Sequence, residues 1–451
     1  MEHASLRRLP VDVNRIQIDA PPRDFRLAWA LFLGALIVRL AYIALRDLGN
    51  AVPTGTDAVS YDVFARAILA GSSWLTHPGA ELFRPPGFPV ILAAQYALFC
   101  GNMDVVQLSQ AFVGAASVVL LFEFGRRHVD RKAALLAAAW LMINPLHLDF
   151  AGKLLRENWL VLLNIAVIAS LLAKDGLATK GLIRTALLFT LLMHIDSRYV
   201  FHLPFFALYI SLAKPSKQAL LGWSRLTASI KPTALFLLVV LAASAPWAIR
   251  NAVAYDRFVL IDPRALDRWA NKAKASVARE AESRALPMAG FEARKTAQFD
   301  SLTTEEQAAF RAGIRPGSGA LTKATFNLTE FWRLYHNHSE YRPFPDARFA
   351  SRWSLEHNVS SLVFMGLLLP FFVIGVVRGV QTADRVILVM TAFIIVHTLL
   401  HVVVHSVTRY RLPVEPFYAL IAMQSIVKQS RVMQSLLAKG RATPPAPEVA
   451  A

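Results

Sequence analysis

The sequence predicts an all-α polytopic membrane protein, on three observations. The 451 residues are 55% hydrophobic and only 18% charged, against about 25% charged in an ordinary soluble protein. Apolar runs of roughly 17–25 residues, the length of a transmembrane helix, recur along the chain. The surplus charge is basic, 48 Lys plus Arg against 31 Asp plus Glu, as expected where cytoplasmic loops collect cations. In a soluble protein that balance would suggest nucleic acid, but the hydrophobicity excludes such a partner for all but the tails. A single cysteine, Cys100, excludes an intramolecular disulfide framework and an all-cysteine metal cluster.

The runs lie near 26–46, 104–124, 133–149, 158–173, 182–195, 199–213, 232–249, 359–377, 386–405 and 412–427. This gives about ten spans, with roughly nine to twelve as the outer limits, because several runs are short. The start, MEHASLRRLP, reads as a cytoplasmic segment (1–25) and not a signal peptide, since no small-residue cleavage site follows the first apolar run. The segment 86–101, PGFPVILAAQYALFCG, reads either as a short span or as an interfacial helix. Charge arbitrates. If it lies flat, Arg126, Arg127, Arg131, Lys132, Lys174, Lys180, Arg184, Arg378, Arg385, Lys428 and Arg431 all fall inside, as the positive-inside rule requires. If it crosses, they fall outside.

The flat solution divides the chain into transmembrane helices over 26–249, an extracytoplasmic loop domain at 250–357, further helices over 358–428 and a cytoplasmic tail at 429–451. Within the first block, 47–103 forms an external loop expected to carry the chemistry. Loops beyond about 15 residues are usually functional or disordered, and helix-like stretches such as ALDRWANKAKASVAREAESRAL suggest that 250–357 folds over the membrane face.

Polar residues concentrated at one face of an apolar chain mark where function resides. The external side collects Asp57, Tyr61, Asp62, His77, Glu81 and Arg84, then Arg156 with Glu157, Asp196 with Arg198, Arg250 with Asn251, and His405, Arg409 and Arg411. Short external turns have no topological need of arginine, yet several carry it. That recurrence suggests an anion site, since the guanidinium fork matches phosphate or carboxylate; the alternative is snorkelling to lipid headgroups. Asp57 reads as a catalytic carboxylate or as a helix N-terminal charge. Tyr61 and Trp74 read as binding-pocket or interfacial aromatics. His397, His401 and His405 share one helical face, as metal or proton ligands or as interhelical hydrogen-bonders. Arg39 sits inside the first span, where pairing within the bundle is expected.

The order of motifs carries a resemblance. D-x-x-x-Y with Ala65 and Gly71, then RPPGFP, FGRRHVDRKAALLAA, INP before RENWL, DSRYV, PWAIRN and RYRLPVEPFYAL together resemble the GT-C class of membrane glycosyltransferases that use polyprenyl-phosphate sugars. The likeness is to the bacterial branch of protein O-mannosyltransferases, lipid A aminoarabinose transferases and rhizobial lipopolysaccharide galacturonosyltransferases. It covers about residues 30 to 425. The resemblance implies a polyprenyl-phosphate sugar donor, a glycolipid or glycan acceptor, an inverting transfer, and catalytic roles for Asp57 and Glu157. Tyr61, Arg84, Arg198, Arg250, Arg409, Arg411 and His405 are then the candidate substrate-binding residues. No cofactor is certain; a divalent cation held by Asp57 and Glu157 is the one candidate. Two departures bear on it: Ala58 stands where an acidic pair is common, and Arg156 precedes Glu157 where Thr or Ser is usual. The second raises the alternative of an Arg156–Glu157 salt bridge. The rival reading is a transporter or flippase for lipid-linked saccharides, which would show inverted repeats and polar midplane residues.

Overall fold

The computed structural model describes residues 24–47, 57–71, 85–213, 223–255, 258–261, 324, 325, 328, 331, 332, 361–403 and 408–440. Every described element is helical. In order these are α1 (Phe25–Tyr42), α2 (Asp57–Leu69), α3 (Gly87–Leu98), α4 (Met103–His128), α5 (Arg131–Ile143), α6 (Pro145–Asp149), α7 (Glu157–Leu172), α8 (Thr179–Ile195), α9 (Leu203–Leu212), α10 (Trp223–Tyr255), α11 (Leu369–Gln381), α12 (Arg385–Val403) and α13 (Glu415–Gly440). Short 3-10 turns at Ser197–His202 and Thr408–Arg411 precede α9 and α13. The expected loop domain at 250–357, with Arg84, Trp74, His77, Glu81 and His405, lies mostly or wholly outside the described residues.

The chain is a multi-pass membrane protein. Five stretches, Phe25–Arg46, Met103–His128, Ile230–Val253, Leu362–Gln381 and Arg385–Val403, are long and apolar enough to cross a membrane. On α1 the side chains of Phe25, Trp29, Leu33 and Ile37 stand at four-residue spacing and are all exposed. Such an apolar stripe suits lipid and not water. Polar side chains turn inward instead: Gln107, Gln110, Asn164, Thr185 and Ser244 are fully buried.

Ion pairs sort the helix ends into two groups. At one end Asp24 meets Arg131 at 2.6 Å and Asp130 meets Arg431 at 2.8 Å, tying the starts of α1 and α5 to α13. Arg184 with Asp175 at 3.0 Å and Arg385 on the Tyr209 hydroxyl belong to the same end. At the other end Tyr42 donates to Asp149 at 3.4 Å, and Asp57, Glu157, Asp196, Arg198 and Arg409 gather. Consecutive long helices therefore alternate in direction.

Helix α3 does not fit this alternation as a span. Its twelve residues rise only about 18 Å, short of the ~30 Å hydrocarbon core. Both its ends rest on α2: Phe88 packs edge-on against Tyr61 at 4.9 Å, and Tyr96 donates to Asp62 at 2.5 Å. Its first residue touches the end of α8, where a Cβ on Gly87 would stand 2.7 Å from the carbonyl of His194 and 2.8 Å from the amide of Ile195. That backbone cannot withdraw without moving Asp196. Gly87→Ala is expected to destabilise the protein by about 1–3 kcal/mol, read as a lowered melting temperature of the detergent-solubilised chain.

The break between α5 and α6 has a local cause. Asn144 adopts the extended conformation imposed on a residue before proline, and its side chain caps α6 by accepting from the Leu146 amide at 2.9 Å. Pro145 has no N–H to donate to the carbonyl of Leu141 four residues earlier. Arg39 supplies the missing donor, its Nη2 reaching the Leu141 oxygen at 3.4 Å while Nη1 reaches Ala35 at 3.3 Å. Gly114 makes room for it: a Cβ there would lie 2.4 Å from Arg39 Nε. The break turns the chain so that 150–156 crosses the end of the bundle and delivers Glu157 as the first residue of α7.

Candidate functional site

Four separate chain segments converge at the Asp57 end. Asp57 opens α2 and Glu157 opens α7, positions where a carboxylate faces the positive end of the helix dipole. Asp196 and Arg198 lie just past α8, and Arg409 and Tyr410 lie in the 3-10 turn between α12 and α13. Arg409 bridges the two carboxylates: its Nη2 lies 2.5 Å from Asp57 Oδ2 and its Nε 3.6 Å from Glu157 Oε1. The Asp57 and Arg409 side chains are 27% and 24% exposed while Glu157 is 4% exposed, so the group is reached by solvent at Asp57 and is buried at Glu157. The second oxygen of Glu157 is buried and makes no hydrogen bond among the described residues.

Behind this group lies a second one. Asp196 accepts from Arg198 through Nε at 2.9 Å and Nη2 at 2.5 Å, and Arg156 Nη2 lies 3.3 Å from the same carboxylate. Burial alone would raise the Asp196 carboxyl, but the two guanidiniums outweigh it and hold the group far below the ordinary carboxylate range. Burial likewise opposes the charge on Arg156, yet Asp196 foremost, and Glu157 among others, keep it firmly cationic. The salt bridge considered between Arg156 and Glu157 is therefore directed elsewhere: Arg156 pairs with Asp196, and Glu157 faces Arg409. Among the described residues three arginines meet three carboxylates here.

Tyr410 stands between the two groups. The Arg198 guanidinium lies 3.9 Å from its ring centroid and that of Arg409 5.5 Å. Burial acts to raise its phenol, and Arg198, Arg409 and Arg156 overcome this to lower it. His397 Nε2 is 2.9 Å from the Tyr410 carbonyl and must donate to it. In the neutral ring Nδ1 is then an acceptor, 3.3 Å from His202 Nε2. His401 stacks on the Tyr410 ring at 4.7 Å.

The remaining sequence candidates are dispersed. Arg411, two residues from Arg409, is drawn into a buried network of its own: Nε to Glu415 at 2.5 Å and Nη1 to the Trp332 carbonyl at 2.9 Å. Glu415 also meets His147 at 3.0 Å and Asn144 at 3.3 Å. Arg250 stacks over Trp247 at 4.7 Å and donates to Asn251 at 3.1 Å. Tyr61 is the exception: buried against Phe88 of α3, it lies near enough to Arg156 to favour the arginine's charge. Arg84 and His405 lie outside the described residues. Asp196 as the anchor of two arginines, and Tyr410 as the partner of two, add to the candidates that the sequence offers. The signals were present in DSR, where acid and arginine share one turn, and in RYR, where a tyrosine is flanked by arginines.

Among the described residues, the donor set at Asp57 and Glu157 falls short of what a divalent cation needs. The guanidinium of Arg409 lies between the two carboxylates, and a hard cation needs about six oxygen ligands where this pair supplies two carboxylates.

No protein-family model matches the chain, and no curated protein matches it. Solved structures share its fold. The apo oligosaccharyltransferase of Archaeoglobus fulgidus superposes with TM-score 0.51 at 13% identity, over 92% of this chain and 52% of that one. The chain thus spans about half the length of that enzyme. AglB of the same organism, in complex with an inhibitory peptide and a dolichol-phosphate, gives TM-score 0.47 at 14% identity, covering 94% of this chain and 53% of that one. ArnT from Cupriavidus metallidurans, bound to undecaprenyl phosphate, gives 0.42 at 17% identity, covering 94% and 82%.

Proposed function

Because the chain has the fold of the GT-C membrane glycosyltransferases, we propose that it moves a sugar from a polyprenyl phosphate to an extracytoplasmic acceptor. The acceptor class is a glycolipid, lipopolysaccharide or cell-wall glycan. The observation that carries the reading is the junction of Asp57, Glu157 and Arg409 at one end of the bundle. Basic loops crowd the opposite end, with Arg126, Arg127, Arg131, Lys132, Arg385 and Arg431, which supports a cytoplasmic position for that end and, with it, a site on the outer face of the cytoplasmic (inner) membrane.

The chemistry follows from the charges. An acceptor hydroxyl attacks the anomeric carbon, the bond from that carbon to the phosphate oxygen breaks, and the phosphate leaves with the electron pair. Asp57 takes the acceptor's proton, or orients the acceptor where this is itself a phosphate. Arg409 and Arg198 are preorganised cations for the charge that develops on the leaving phosphate. An ion-paired carboxylate is a weak base. A phosphate competing for the single fork of Arg409 loosens its hold on Asp57, so donor binding and base activation are coupled. The unbonded oxygen of Glu157 is an acceptor for a sugar or acceptor hydroxyl. One displacement without a protein nucleophile inverts the anomeric centre.

Mass spectrometry of surface glycans and membrane lipid-linked sugars tests the reading in a deletion strain beside the complemented strain. Loss of one sugar from a surface glycan, with its polyprenyl-phosphate donor accumulating, is expected. Unchanged glycan composition with a lipid-linked saccharide retained on the cytoplasmic leaflet would replace the transferase with a flippase.

A further inference from the structure

We propose that Tyr410 is a positioning residue whose aromatic ring, and not its hydroxyl, spaces Arg198 and Arg409 and aims each at its own carboxylates. The inference deepens the transferase reading, on which its consequence for the donor phosphate rests; the geometry rests on the structure alone. Two guanidiniums stand against one ring, at 3.9 and 5.5 Å from its centroid. Arg198 is held on Asp196 and Arg409 on Asp57 and Glu157, so the ring sits where the two ion-pair groups adjoin. A third guanidinium, that of Arg156, disfavours the charge on both Arg198 and Arg409, so cations gathered at this junction repel. A ring whose face attracts cations relieves that repulsion and fixes the distance between them.

The ring is itself braced. His401 stacks on it at 4.7 Å with the planes 28° apart, and Phe331 stacks on His401 at 5.6 Å. His397 fixes the backbone from α12 through the Tyr410 carbonyl at 2.9 Å, and Tyr199, from the same turn as Arg198, lies 5.6 Å from the His397 ring. Both arginine-bearing turns are thus referred to one histidine on α12. A phosphate between Arg198 and Arg409 would meet two cations whose separation is set by the ring.

The test compares Tyr410→Phe, which keeps the ring, with Tyr410→Met and Tyr410→Leu, which keep apolar bulk without it. Sugar transfer is followed by glycan mass spectrometry in the complemented deletion strain at matched membrane levels. Tyr410→Phe is expected within about threefold of wild type, and the ringless variants about tenfold or more below it, as loss of two cation–π contacts implies. A Phe variant as impaired as the ringless ones would make the hydroxyl the working group. A fully active Met or Leu variant would likewise overturn the spacer.

A readout independent of the reaction accompanies this: the structure of whichever ringless variant is stable, determined beside wild type. Arg198 or Arg409 is expected to leave its carboxylate; guanidiniums that stay in place overturn the proposal. If wild type proves to transfer no sugar, the transferase reading falls, and the structural comparison still decides the role of the ring.

Discussion

Asp57→Asn is expected to lower sugar transfer by about 10²–10⁴-fold, the range that a positioned general base contributes. The substitution is nearly isosteric, and the amide oxygen still accepts a hydrogen bond from Arg409 in place of the 2.5 Å ion pair. What it removes is negative charge and basicity at the solvent-reached side of the cluster. The competing account makes Asp57 only a favourable charge at the start of α2. That role is worth about 0.3–1 kcal/mol, and Asn is as good as Asp at a helix N-terminus. Under that account Asp57→Asn would stay within a fewfold of wild type. Glycan mass spectrometry on the complemented deletion strain, with immunoblotting to equalise protein in the membrane, separates the two. Accumulation of the polyprenyl-linked sugar in the variant would place the block at transfer and not at donor synthesis.

The fold was legible because the membrane imposes period and length on the chain. Among the described residues the expected spans fall largely on helix, five stretches being long and apolar enough to cross a membrane, and 86–101 carries the twelve-residue α3 resting on α2. The breaks were harder to see: the run at 133–149 divides at Asn144-Pro145, where a proline withholds one N–H and Arg39 replaces it. The site was legible in part. Residue type and predicted side of the membrane brought forward Asp57, Glu157, Arg198 and Arg409, which converge. They also brought forward Arg411, and here the sequence contained its own answer. Glu415 follows Arg411 by four residues, the spacing of a helical ion pair, and the two meet at 2.5 Å inside the protein. A two-residue separation in a 3-10 turn sends Arg409 and Arg411 to different partners. Which arginine meets which acid across a hundred residues or more is set by tertiary packing, so Arg156 with Asp196 instead of its neighbour Glu157 could not be read from order alone.

Asp196 should carry the largest stability effect among these side chains. It is 3% exposed and faces the guanidiniums of buried Arg156 and of Arg198, whose side chain is 18% exposed. Removing one member of a buried ionic group leaves uncompensated charge, at about 3–5 kcal/mol. Asp196→Ala is therefore expected to lower the melting temperature of the solubilised protein sharply and to reduce its level in the membrane. The pH dependence has a definite sign. The folded-state carboxyl lies far below its usual value because Arg156 and Arg198 outweigh burial, while the unfolded group titrates near about 3.9. The stabilisation from Asp196 is thus fully present above the unfolded value and is lost as pH falls towards the folded one. Between about pH 5 and 8 this group adds no slope to the melting temperature, and a midpoint attributable to Asp196 in that window would contradict the ion-pair geometry. A second variant separates stability from function: Asp196→Leu with Arg156→Met and Arg198→Met replaces the whole ionic group by apolar side chains, often neutral or stabilising in a protein interior. That triple variant is expected to recover much of the melting temperature lost in Asp196→Ala and to remain without transferase activity, because the Arg198 cation assigned to the leaving phosphate has gone. Recovery of both together would assign the arginines to folding alone.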